Sequence, residues 1–177
     1  KLAFGLSPVF SFHTVGEILL RLYWILLILG IALGGAGALY NFTLLKTQKL
    51  YQCLTRLPER FRPVVPFVAA GILGLIFPQV LGGGHAMLET LNAGSALGML
   101  VLMFLVKFLF SMISFGSGAP GGIFFPLLIL GGALGAVAAK AAGAFVPPEF
   151  FDTFVVVAMA GYFAAIVRAP VTGTILL

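Results

Sequence analysis

The chain has 177 residues, of which 61% are hydrophobic and only 8% are charged, with a formal net charge of +5. About a quarter of the residues of a soluble domain are charged, so this composition excludes a water-exposed surface and indicates an integral membrane protein. The apolar runs are long and unbroken, whereas a transmembrane β-barrel requires short segments in which apolar and polar residues alternate. The sequence therefore predicts an all-α membrane protein.

The first long apolar segment, Leu19–Leu45, is long enough to cross a bilayer with some tilt. Thr14 and Glu17 precede it with the spacing of a capping box, which is typical of a helix start. Within the segment, Gly30 and Gly34 have the Gly-x-x-x-Gly spacing of closely packed transmembrane helices. We therefore expect a tilted spanning helix with a close helix contact at these glycines.

The next segment, Lys46–Arg62, is strongly basic, and Glu59 is its only acidic residue. It holds half of the basic residues of the chain: Lys46, Lys49, Arg56, Arg60 and Arg62. A nucleic-acid-binding patch would also be basic, but positive charge between two spanning segments is typical of a cytoplasmic loop. We predict such a loop here and expect no nucleic-acid partner.

The remaining apolar segments are separated by glycine and proline, and several are too short to cross a bilayer. They are Val64–Phe77, Met87–Asn92, Ser95–Phe115, Leu127–Phe145, Phe150–Val167 and a last helix that begins near Val171. The chain is thus predicted to contain about seven helices. Short, interrupted helices are typical of the binding sites of secondary transporters.

The most informative of these breaks is Gly116–Pro126, between two long apolar segments. Irregular backbone at membrane depth persists only where protein covers it or where it lines a polar cavity. Pro126 suits the first position of a helix, where its missing N–H has no acceptor to lose. The amides of Gly121 to Phe125 then precede a positive helix end. The segment therefore predicts an anion site that needs no cationic side chain.

Lys107 is the only charged residue of Ser95–Phe115. A charge inside a span is costly unless it extends to the lipid headgroups or faces a polar cavity. Two interpretations stay open: Lys107 extends to the headgroups, or it adds positive potential along an anion path. Arg168 lies at an Arg-Ala-Pro break and is interpreted as a charge at a helix end.

The remaining chemically reactive residues do not predict an enzyme. Cys53 is the single cysteine, and His13 and His85 have no partner at the spacing of metal ligands. We find neither a nucleophile–base pair nor a phosphate-binding glycine loop of the Walker type. No cofactor is expected.

Two motifs resemble a known family. Gly122–Pro126 reads Gly-Ile-Phe-Phe-Pro, which is similar to the second-half anion-binding signature Gly-Ile-Phe-x-Pro of the CLC chloride channels and proton-coupled chloride antiporters. Arg168–Gly173 resembles the Arg-Ala-Pro-Leu-Thr-Gly segment of that family, near its dimer-forming helices. The order of spans and breaks also fits, and the resemblance covers the chain from about Leu20 to Leu177.

The resemblance implies a fold of broken, tilted helices that belong to one CLC-type inverted repeat. Residues 1–177 would form part of the transmembrane domain, namely the second repeat. The chain starts at Lys1 and ends within an apolar run, so we expect it to be incomplete at both ends. In the lipid bilayer the intact protein would be a homodimer with a separate pathway in each subunit.

The resemblance also implies the site. The backbone N–H groups of Ile123 and Phe124 would bind the central chloride, and the Phe124 ring would line the path. The residues that shape the motif would be Gly121, Gly122, Phe125 and Pro126. Chloride would be the substrate, together with protons in an antiporter. The family's gating and proton-transfer glutamates and its last-helix tyrosine are not among these residues, so channel and antiporter both stay open.

Two other functions are also considered. One is a different broken-helix secondary transporter for an anionic solute, and the other is a membrane scaffold fragment without activity of its own. The motif offers N–H donors and a positive helix end, and the charges within the neighbouring spans are lysines. A cation path would instead require carboxylates or carbonyl groups. These features favour chloride transport.

Overall fold

The computed structural model describes residues 20–53, 58–82, 84–91, 94–119 and 121–175, and these ranges contain helices and turns but no strand. The α-helices are α1 (Tyr23–Cys53), α2 (Val64–Ile76), α3 (His85–Thr90), α4 (Leu97–Gly116), α5 (Phe124–Ala142), α6 (Phe151–Val167) and α7 (Pro170–Ile175). Short 3-10 turns occupy Leu20–Leu22, Glu59–Phe61, Pro78–Val80, Gly143–Phe145 and Pro148–Phe150. The all-α prediction is confirmed. The predicted helix start at Thr14 and Glu17 lies outside the described residues.

Helices of two length classes make up the fold. Those long and apolar enough to cross a membrane, among the described residues, are Tyr23–Cys53, Leu97–Gly116, Phe124–Ala142 and Pro148–Val167. In contrast, α2 has 13 residues, and α3 and α7 have 6 each. At 1.5 Å per residue, α1 extends for about 46 Å and exceeds the hydrocarbon thickness of about 30 Å. The mixture of spanning and short helices agrees with the predicted broken-helix architecture.

The predicted loop at Lys46–Arg62 is wrong in its first half, because α1 continues through Cys53. No glycine or proline interrupts this stretch. The Tyr51 hydroxyl also donates a hydrogen bond to the carbonyl of Ile113 at 3.1 Å, which fastens the end of α1 to α4. Lys46 and Lys49 therefore lie on a helix, and Cys53 is its exposed last residue.

The core lies between α5 and α6, whose backbones touch. A Cβ atom at Gly131 would lie 2.7 Å from the carbonyl oxygen of Ala158, and one at Gly135 would lie 2.6 Å from that of Phe154. Only glycine allows this approach, and small residues four apart are the usual device for it in membrane helices. The two helices run antiparallel in this contact, which fixes their register.

A second close contact joins α1 to α6. A Cβ atom at Gly37 would lie 2.7 Å from the Cβ of Ala165, and the Asn41 amide donates to the carbonyl of Ile166 at 3.2 Å. The sequence predicted a close contact at Gly30 and Gly34 instead. In the described part of the chain nothing lies within 4 Å of a Cβ at either position. That prediction is wrong for these helices because both glycines lie on the exposed face of α1.

Candidate functional site

The glycine- and proline-rich break begins with a tight turn at the end of α4. The Ser117 hydroxyl donates to the carbonyl of Ser114 at 2.7 Å and accepts from the amide of Ala119 at 3.3 Å. Gly118 adopts a left-handed backbone with φ of 77°, which favours glycine. Ser117 is buried, and its hydroxyl is used to close this turn. The turn directs the chain back toward α5.

The motif Gly121–Pro126 follows this turn, and α5 begins at Phe124. The first hydrogen bond back to the motif runs from the amide of Leu127 to the carbonyl of Ile123 at 3.2 Å. The amides of Ile123 and Phe124 therefore lie at the N-cap and in the first turn of α5, where a helix supplies no acceptor of its own. Both carry the positive end of the macrodipole of a 19-residue helix. Helix N-termini in general favour anions for this reason.

The position predicted for Pro126 is wrong by two residues. It is the third residue of α5, because Phe124 and Phe125 already have helical conformation. Proline is tolerated here for the same reason as at the first position: amides of the first turn have no acceptor within the helix. The shift leaves the predicted amides of Ile123 and Phe124 at the helix start.

The motif residues before α5 are accessible in this structure. Gly121 and Gly122 are exposed, and Ile123 is 46% exposed. A Cβ atom at Gly122 would meet nothing within 4 Å among the described residues. An ion could therefore approach the amides of Ile123 and Phe124 from this open side.

The Phe124 ring is packed against two other rings. It lies 5.2 Å from the ring of Phe163 on α6 and 5.4 Å from that of Phe125, with interplanar angles of 83° and 78°. Both are edge-to-face arrangements, which aromatic rings prefer. The ring thus anchors the motif to α6.

These contacts also give the depth of the motif. Phe163 lies two residues before Ala165, which meets Gly37 near the middle of α1. The first turn of α5 is therefore level with the middle of the longest helix rather than with its ends. Binding sites near the midplane, at the ends of interrupted helices, are characteristic of secondary transporters.

Lys107 lies in the middle of α4 and is 1% exposed. Its ammonium donates to the carbonyl oxygens of Val80 and Gly82, at 2.7 and 3.0 Å. The side chain turns into the protein instead of extending to a helix end, so the headgroup interpretation is wrong. The ammonium thus supplies hydrogen-bond donors to two carbonyls of the turn between α2 and α3. Irregular backbone at membrane depth requires such partners. An effect of Lys107 on an anion path stays a hypothesis.

The same turn brings Lys107 close to α5. Gly84 has φ of 92°, and a Cβ atom there would lie 2.6 Å from Cδ1 of Ile129 and 3.5 Å from Nζ of Lys107. Along α5, Ile129 is about 7.5 Å from Phe124. The sequence analysis did not connect this turn with Lys107. A lone charge inside a span needs hydrogen-bond acceptors, and a glycine-rich turn offers carbonyls that need donors, so the two could have been recognised as partners.

Other residues that the sequence singled out lie apart from the motif or outside the described residues. Arg168 is exposed and ends α6 in a left-handed conformation with φ of 58°, which agrees with a charge at a helix end. Within the described ranges no three His, Cys, Asp or Glu residues lie close enough together to hold a metal ion. His13 lies outside those ranges. Sequence reasoning missed Phe163, which is one of many phenylalanines in apolar segments.

Comparison with known proteins gives consistent results. The model of the family described as "Voltage gated chloride channel" matches residues 1–177. The H(+)/Cl(-) exchange transporters ClcA of Citrobacter koseri and Salmonella paratyphi B are 35% and 34% identical to the chain, over 97% of its length and 38% of theirs. A crystal structure of a slow cyanobacterial Cl-/H+ antiporter superposes with a TM-score of 0.81 at 30% identity, covering 97% of this chain and 41% of that one. The chain thus spans about two fifths of the length of these relatives.

Proposed function

Because this chain belongs to the voltage gated chloride channel family, we propose that it forms part of a chloride transport pathway in which the backbone N–H groups of Ile123 and Phe124 bind the ion. The observation that carries the proposal is the start of α5. Its first amides have no intrahelical acceptor, are reached from an open side, and lie level with the middle of α1.

The chemistry of the motif suits a transported anion. Chloride that leaves water must regain hydrogen bonds, and consecutive amides at a helix N-terminus supply them together with a partial positive charge. A full counter-charge in contact with the ion would hold it more strongly. Binding by amides alone is therefore compatible with release, which conduction and transport both require.

Gly121 and Gly122 shape this site by leaving the space beside the amides free of side chains. Pro126 contributes a helical residue that has no N–H of its own. Phe125 and Phe124 pack their rings against each other with 5.4 Å between the ring centroids. In the proposal these four residues and the two binding amides act as one rigid segment.

Lys107 is proposed to raise the local anion concentration. Its charge is buried beside Ile129, about 7.5 Å along α5 from the first residue of that helix. In a low-dielectric environment a positive charge acts over longer distances than in water. Lys107 would thus stabilise the turn that it binds and also make the electrostatic potential along the pathway more positive.

The mode of transport is proposed to be exchange of chloride for protons, with the lipid bilayer as the environment. The named relatives are exchange transporters, and the structural neighbour is an antiporter. Residues 1–177 would be the second repeat of a homodimeric protein, with the basic segment Lys46–Arg62 in the cytoplasm. Flux of chloride and protons in proteoliposomes made with the intact protein would distinguish exchange from conduction.

The anion site itself is tested by calorimetric chloride titration of the intact protein. Gly122→Leu fills the open space beside the amides without meeting another atom of the described residues, so we expect weaker chloride binding. Ile123→Val is the matched control because it keeps every backbone amide, and it should retain wild-type affinity. Equal affinity of Gly122→Leu and the wild type would count against a site at this position.

A further inference from the structure

We infer that Phe163 is a positioning residue for the anion site: it holds the ring of Phe124 and thereby fixes the direction of the amides at the start of α5. This inference rests on the proposed function of those amides. It assigns to α6, which carries neither of the two proposed binding amides, the role of orienting them.

The contact is direct. The two rings are 5.2 Å apart with an interplanar angle of 83°, which is a favourable edge-to-face geometry. Phe163 is buried, whereas Phe124 is half-buried and the three residues before it are exposed. The motif therefore leaves the bundle immediately before Phe124, and the ring of Phe124 is its attachment to α6.

Phe163 can serve as an anchor because α6 cannot slide. The preceding residue, Tyr162, packs against Gly131 of α5. A Cβ atom added at Gly131 would lie only 2.9 Å from the Cβ of Tyr162. On the other side, Leu33 and Gly37 of α1 lie against Gly161 and Ala165. Contacts on both sides fix the register of α6, so the ring of Phe163 has a defined position relative to α5.

A ring held on one side constrains the residue that carries it. If Phe163 is shortened, the Phe124 side chain can adopt other rotamers, and the first turn of α5 loses part of its attachment. The amides of Ile123 and Phe124 would then spend less time converging on the ion. An edge-to-face pair of typical strength corresponds to a rise of about two- to tenfold in the chloride Kd when it is removed.

The test is a double-mutant cycle in the intact protein, with chloride affinity measured by calorimetry and stability by thermal unfolding. The variants are Phe163→Leu, Phe124→Leu and the double variant. Phe154→Leu is the control, because Phe154 is also buried on α6 but lies about 14 Å from Phe163 along the helix. It should lower the unfolding temperature as much as Phe163→Leu does while leaving the chloride Kd unchanged.

We expect Phe163→Leu to raise the Kd two- to tenfold in the wild-type background and to have no further effect once Phe124 is Leu. The inference is overturned if Phe163→Leu leaves the Kd unchanged, or if its effect is equally large in both backgrounds, which would indicate a general loss of packing. Gly122→Leu distinguishes a failure of the positioning role of Phe163 from a failure of the anion site. If that variant weakens binding and Phe163→Leu does not, the positioning role fails alone; if neither variant does, the site itself fails.

Discussion

A single lysine shows how a charge is accommodated in the middle of a membrane helix. Lys107 is buried, and its ammonium donates hydrogen bonds to the carbonyls of Val80 and Gly82 in the place of water. Those carbonyls belong to a turn that could not otherwise lie at membrane depth without unsatisfied groups. The sequence singled out Lys107 because it is isolated in an apolar run. Its partners were not identified from the sequence, because they lie 27 and 25 positions earlier in the chain.

Replacing Lys107 by Met should therefore have two effects. The turn loses two charge-assisted hydrogen bonds, and the unfolding temperature should fall, because buried acceptors left unsatisfied cost about 1–3 kcal/mol each. Chloride flux in proteoliposomes should also fall, most clearly at low salt, since screening weakens a long-range potential.

Lys107→Arg, which keeps the charge, is the matched control and should retain more of the flux than Lys107→Met. If Lys107→Met unfolds at a lower temperature but gives wild-type flux at every ionic strength, the lysine has a structural role only, and its proposed effect on the pathway is wrong.

At the scale of elements, glycines decide which helices touch. The backbone approach of α5 and α6 depends on Gly131 and Gly135, whereas Gly30 and Gly34 have the same spacing and face outward. The spacing identifies helices that can approach closely, but not the face that is used. Which face is used depends on the packing of the whole bundle. For this reason the spacing alone led to a predicted contact on α1 instead of α5.

Gly131→Ala and Gly34→Ala should consequently change stability in opposite directions. A methyl group at Gly131 would lie 2.7 Å from a backbone oxygen of α6, and such overpacking costs about 1–3 kcal/mol. At Gly34 it meets nothing among the described residues, and alanine favours helix by about 0.5–1 kcal/mol over glycine. Thermal unfolding of the intact protein measures both. A similar loss for Gly34→Ala would reveal a contact made by parts of the protein beyond these residues.

Element ends were less predictable than element types. The Gly-Ile-Phe-Phe-Pro motif located the start of α5 to within two residues because glycine and proline restrict the backbone strongly. The end of α1 was missed by eight residues, since a positive-charge rule describes which side of the membrane a segment occupies and not its conformation. The anchoring of that end by Tyr51 depends on Ile113, a residue distant in sequence.

At the scale of the whole molecule, the helix directions give the chain two distinguishable ends. The end of α1 lies against that of α4, where Tyr51 bonds to Ile113. The start of α1 lies near the end of α5, where the rings of Trp24 and Phe145 are 6.0 Å apart. The exposed apolar side chains between these ends suit hydrocarbon or the remainder of the intact protein. Cys53 and Phe145 therefore mark opposite ends of the spanning helices.

This arrangement predicts sidedness that a membrane-impermeant thiol reagent can measure. The positive-inside rule places the basic end of α1 in the cytoplasm, so the exposed Cys53 should react only from that side. In a Cys53→Ser background, Phe145→Cys should react only from the other side, because Phe145 is exposed at the opposite end. Other cysteines of the intact protein are first replaced. Reversed labelling of both sites would overturn the orientation but keep the fold, whereas labelling of both sites from one side would contradict the packing of α1 against α5.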